Sequence, residues 1–158
     1  QSILTHEVGH AAGFLSLATQ TGTFQVQSGN ASAAYSTMLY TRYDSLLTNQ
    51  EGQSIVNKAG NGNTAFTLGE TLSLGDTGLT AYNPATWQQG SSMAHIDSAS
   101  DPDALMQYSI SPETYHRTLT DGEMELMRSM GWKMVPEPGT STLSLLGLAV
   151  LALRRRRC

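Results

Sequence analysis

Cysteine is nearly absent from this chain. The single one is Cys158, the last residue, so no disulfide can close within the chain, and stability has to rest on packing and on any bound metal. Charge is scarce too: Asp, Glu, Lys and Arg make up 14% of the residues, where about a quarter is usual. The shortage falls hardest on basic residues of the body. Residues 1–135 hold five Lys or Arg against twelve Asp or Glu, a surplus of seven negative charges before His is counted. Little there can neutralise phosphates, which excludes nucleic-acid binding. Gly, Ser, Thr, Asn and Gln are plentiful instead, a composition that suits a loop-rich extracellular protein. An initiator methionine is lacking as well, the chain opening on Gln1 and reaching its most informative residues by the sixth.

Those residues are His6-Glu7-Val8-Gly9-His10, followed by Ala11-Ala12-Gly13-Phe14. Positions i and i+4 of a helix share a face, so His6 and His10 can grip one metal ion while Glu7 is carried beside it without binding. A zinc ion held by imidazoles keeps a position for water and lowers its pKa to about 7, and a neighbouring carboxylate can take the proton as the water attacks a carbonyl. Ile3, Leu4, Val8, Ala11, Ala12, Phe14 and Leu15 make the helix apolar and predict a buried setting for the histidines.

Two histidines do not close a zinc site. A ligand three residues beyond Gly13 would be Ser16, a poor one. The other histidines are His95 and His116, and the acidic candidates near them are Asp97, Asp101, Asp103 and Glu113.

His95 stands in Gly90-Ser91-Ser92-Met93-Ala94-His95-Ile96-Asp97, ahead of Asp103-Ala104-Leu105-Met106 and of a segment from Leu119 to Gly131-Trp132. With HExxHxxGF at the start, this order resembles the leishmanolysin branch of the metzincin zinc metallopeptidases. The resemblance covers residues 3–19 and about 90–132 and implies that Zn2+ is held by His6, His10 and His95, that Glu7 is the catalytic base, and that Met106 is the Met-turn residue beneath the metal. Ile96 stands where that family often has Trp. The fold it implies is α+β, the C-terminal part of a zincin made of an active-site helix, a loop- and strand-rich insertion, a Met-turn and a C-terminal helix. A zincin cleft lies between this part and a sheet preceding the helix, so the upstream half is expected to be missing here.

The C-terminal helix is legible without the family. Thr120 and Glu123 make a capping box, Leu119 and Met124 a hydrophobic staple, and Gly131-Trp132 a stop; Leu126, Met127 and Met130 form a buried stripe. Glu123 or Glu125 as a metal ligand is a minor alternative. In the middle segment, Thr23 to Val26 and Ala65 to Leu68 alternate as strands do, and a short helix is expected within Ala34 to Leu47. Tyr40, Tyr43 and Tyr82 are packing residues or cleft residues.

The tail is a separate unit. Pro136-Glu137-Pro138 breaks any helix, Thr142 to Leu153 is almost wholly apolar, and Arg154, Arg155, Arg156 and Arg157 form a positive block. A helix from Thr140 to Leu153 spans roughly 21 Å, short of the roughly 30 Å hydrocarbon core, and the arginines orient it with the body across the membrane from the cytoplasm. These three parts in order resemble the PEP-CTERM sorting signal of Gram-negative bacteria, which implies export, transient inner-membrane retention and processing by an exosortase. Residues 1–134 are thus read as the catalytic portion and 135–158 as the signal. The function expected is that of an exported zinc endopeptidase acting on a peptide or protein substrate; the alternative is a non-catalytic surface or matrix-binding protein with a structural or silent zinc site.

Overall fold

The computed structural model describes residues 2–24, 26–28, 36–56, 65–109 and 116–133. Two helices frame them, α1 (Ser2–Ala11) and α2 (Asp121–Ser129). Between lie two small antiparallel sheets: β1 (Val26–Ser28) pairs with β2 (Ser36–Met38), setting Val26 against Met38, and β3 (Leu47–Thr48) pairs with β4 (Ser73–Leu74), setting Leu47 against Leu74. Single bridges do the rest. Ala81 meets Ile96 antiparallel and Ile96 meets Gln107 in parallel, which draws three distant stretches into one layer.

Both helices stop by the same device. After α1, Gly13 takes φ +121°, Gly13 N–H donates to His10 O (3.1 Å) and Phe14 N–H to Gly9 O (3.2 Å). After α2, Gly131 takes φ +103°, its N–H reaches Arg128 O (2.9 Å), and Trp132 N–H reaches Met127 O (3.1 Å). Each is a Schellman turn, which needs a residue at ease with positive φ. At its other end α2 carries the expected capping box: Thr120 accepts from Glu123 N–H while the Glu123 side chain accepts from Thr120 N–H.

The core is formed by residues such as Phe14, Tyr43, Leu47, Phe66, Ile96 and Leu126, with Met127 and Met130 of α2 packed against it. Several expectations differ. Ala65 to Leu68 is no strand, because Ala65 and Phe66 N–H both turn to Gly22 O and Thr67 N–H to the Glu70 carboxylate. Within 34–47 the short helix is a 3-10 helix of one turn, Asp44–Leu46, and the described part also holds β2. Asp44 turns its carboxylate back on Thr41 N–H (2.8 Å), fixing the chain locally. The apolar residues of α1 do not bury it: Ile3, Leu4 and Val8 are 67%, 71% and 57% exposed. No described helix is long and apolar enough to cross a membrane; the tail lies outside the described residues.

Candidate metal centre

α1 presses its polar face inward. Gly9 stands where a Cβ would collide with Met106 Sδ and Cε, so the absence of a side chain lets the helix settle onto Met106, which is fully buried. That contact sets His6, three residues before Gly9, against the Leu105 carbonyl, with His10, the residue after Gly9, beside it. The Schellman turn at Gly13 brings Phe14 O back within 2.6 Å of His10 Nδ1 while its ring enters the core.

His95 arrives from a different loop. Met93 N–H donates to Tyr82 O (2.8 Å) and Tyr82 N–H to His95 O (2.8 Å), closing a tight turn over 91–95. Within it Met93 takes φ +67° with its side chain fully buried. A non-glycine residue held there costs on the order of 1–3 kcal/mol, a cost the surrounding contacts offset, and such strain gathers at functional sites. Tyr43, fully buried, points its hydroxyl at His95 O (3.5 Å); burial, with the Asp44 charge beside it, holds that phenol well above its ordinary range.

The three imidazoles meet. Ring centroids of His6, His10 and His95 lie 4.8 to 5.1 Å apart, and their candidate ligand atoms all fall within 4.8 Å of one another. Each Nδ1 faces a backbone carbonyl: His6 to Leu105 O (2.8 Å), His10 to Phe14 O (2.6 Å), His95 to Ser91 O (2.9 Å). A carbonyl only accepts, so each Nδ1 bears a proton and Nε2 is the nitrogen whose lone pair a metal can take. His6 Nε2 and His95 Nε2 are 3.2 Å apart. Two such lone pairs repel unless a cation lies between them, and zinc–nitrogen bonds of about 2.0–2.1 Å in a tetrahedral site set nitrogens about 3.3 Å apart. The residues therefore fit a zinc ion, with carbonyl acceptors behind the rings of the kind that orient metal-ligating histidines. Burial, and the nearness of His10 and His6, push the His95 pKa down to about 4, against the raising effects of Ser91 O and the Glu7 charge. His6 and His95 are 7% and 6% exposed; Glu7 is exposed at the rim, its charge felt at His95.

The other described candidates do not join the cluster. His116 is outside the cluster, the one such group among the described residues. Asp97 accepts from Ala99 N–H and Asp101 from Thr120 Oγ1, while Glu113 lies outside the described residues. Ser16 is bonded to the buried Asp44 carboxylate (2.5 Å), which also takes Leu17 N–H (3.0 Å). Of the tyrosines, Tyr43 is core, whereas Tyr82 stacks on Tyr108 with centroids 3.7 Å apart. Glu123 is no ligand: its two oxygens take Met106 N–H and Thr120 N–H, both at 2.8 Å. Gly9, Glu123 and Tyr43 are the site-building residues that sequence reading missed in this role. Only the glycine inside HExxH offered a signal, as a poor helix former kept where space is short.

Pro136, Glu137, Pro138 and Arg154 to Arg157 lie outside the described residues. Neither a curated protein nor a solved structure matches the chain. Residues 135–157 match the family model for the PEP-CTERM protein-sorting motif, which marks an exported protein recognised by an exosortase and sorted to the cell surface or beyond in a Gram-negative bacterium.

Proposed function

We propose that this chain carries the zinc centre of an exported metalloendopeptidase with a metzincin-like α+β catalytic domain. The observation that carries the reading is the convergence of three imidazoles whose ligand atoms lie within 4.8 Å of one another, each Nδ1 facing a carbonyl. Zinc held by His6, His10 and His95 would supply a Lewis acid and lower the pKa of a bound water to about 7. Glu7, exposed and next in sequence to a ligand, takes a proton from the attacking water and returns it to the leaving amine. Met106 and Gly9 hold the helix at its working depth.

The test is Glu7→Gln assayed on casein-type substrates with a chelator control. The variant is expected to keep its zinc and lose activity by about 10²–10⁴-fold, as loss of a general base does. Full turnover in the variant contradicts the role of Glu7, and no turnover in zinc-loaded wild type favours a structural or silent site. The tail reading adds processing near Pro136-Glu137-Pro138, with the short apolar run and Arg154 to Arg157 holding the chain at the inner membrane beforehand. Mass spectrometry of protein from an exosortase-bearing host checks this: a mature chain still ending in Cys158 contradicts it.

A further inference from the structure

Leu105 O and Met106 N–H belong to one peptide group. Its oxygen accepts from His6 Nδ1 (2.8 Å), and its N–H donates to Glu123 Oε1 (2.8 Å). Glu123 is fully buried, 17 residues from Met106, and its other oxygen is held by Thr120 N–H. The two peptides behind the other ligands end differently. Leu15 N–H, paired with the Phe14 carbonyl that His10 uses, donates to Gly13 O (2.8 Å); Ser92 N–H, paired with the Ser91 carbonyl that His95 uses, donates to Gln88 O (2.9 Å). Both end on a neutral oxygen. Only the His6 relay ends on a carboxylate.

We infer that Glu123 is a positioning residue for the metal centre, acting on His6 through the Leu105–Met106 peptide. A carboxylate at the N–H end polarises the amide, makes its oxygen a stronger acceptor, and so fixes the Nδ1–H tautomer of His6 and raises the donor strength of Nε2. Carboxylates that bond a metal-ligating histidine directly do the same work; here a peptide is interposed. The arrangement also explains why a capping glutamate is fully buried, since a capping box alone needs only the Thr120 N–H contact. The inference deepens the zinc reading and rests on it, yet the tautomer of His6 can be read without metal.

The experiment compares Glu123→Gln with Thr120→Ala. The first removes the charge and faces two N–H donors with a single amide oxygen; the second removes the hydroxyl cap and leaves the carboxylate in place. Zinc affinity is expected to fall about 10- to 100-fold in Glu123→Gln, the usual range for loss of an outer partner, and to hold in Thr120→Ala. In metal-free protein, ¹⁵N NMR is expected to show His6 as the Nδ1–H tautomer in wild type and a mixture in Glu123→Gln. Equal affinity and an unchanged tautomer in Glu123→Gln overturn the inference, as does an equal loss in Thr120→Ala, which assigns the effect to helix stability. Should Glu123→Gln fail to fold, wild type decides alone: its His6 Nδ1 proton must lie downfield of that of His95, and the reverse order overturns the relay. Zinc refused by wild type sinks the metal reading instead.

Discussion

On one side of α1, His6, Gly9 and His10 press against Met106 and His95; on the other, Ile3, Leu4 and Val8 face solvent. The helix is thus buried along its polar side. Apolar residues ordinarily mark the buried stripe, but here the contacts are made by a glycine and by imidazoles whose every Nδ1 has a carbonyl partner. A buried polar ring is tolerable once its proton is bonded. The contrast teaches that position in this helix is set by the site rather than by general apolarity. Substitutions on the two sides should therefore differ in kind as well as in size.

The largest expected effect comes where the helix segment meets the core. Phe14→Ala removes a fully buried ring, and a loss of about 3–5 kcal/mol is expected in chemical denaturation; a loss below 1 kcal/mol would mean that the ring does not anchor this end. Gly9→Ala comes next. Helix propensity favours Ala by up to about 1 kcal/mol, but the added Cβ meets Met106 Sδ, and overpacking costs about 1–3 kcal/mol. Net destabilisation with weakened zinc binding is expected, and a stabilised variant with full affinity would show that the helix is free to lift.

Acid should act on the same side. With the His95 pKa pushed down to about 4 in the folded, metal-free protein and near 6.5 when unfolded, the unfolded state binds the extra proton between those values. Stability due to this group is present above pH 6.5 and is lost as pH falls toward 4. Urea midpoints of metal-free wild type are expected to drop across that window more steeply than those of His95→Gln; parallel curves would contradict it. On the solvent side the smallest effect is expected: Leu4→Ala, at a residue 71% exposed, should stay within about 0.5 kcal/mol. A loss like that of Phe14→Ala would mean that this face is covered in solution.

How much was legible follows the same division. The ends of α2 could be read, because the capping box of Thr120 and Glu123 and the stop at Gly131 act through bonds within a few residues. That His6 and His10 share a face was legible from spacing, and the order of motifs pointed to His95 and Met106, which the fold brings beside them. The buried setting expected for the histidines holds for His6, but not by way of Ile3, Leu4 and Val8, since the sequence does not say which side of α1 meets Met106. The second hydrogen bond of Glu123 was hidden because its partner is 17 residues away, and the carbonyl behind His6 is 99 residues away. Ser16, dismissed as a ligand, proved to be a partner of Asp44 across 28 residues. Contacts of that range are fixed by packing, on which local pattern is silent.

The central claim is that His6, His10 and His95 together hold one zinc ion. Zinc titration with X-ray absorption at the metal edge tests it most directly, on wild type and His95→Ala. One zinc per chain is expected, with three nitrogen ligands at about 2.0–2.1 Å and affinity lower by about tenfold or more in His95→Ala. Unchanged affinity in that variant, or the same loss produced by His116→Ala alone, would contradict it.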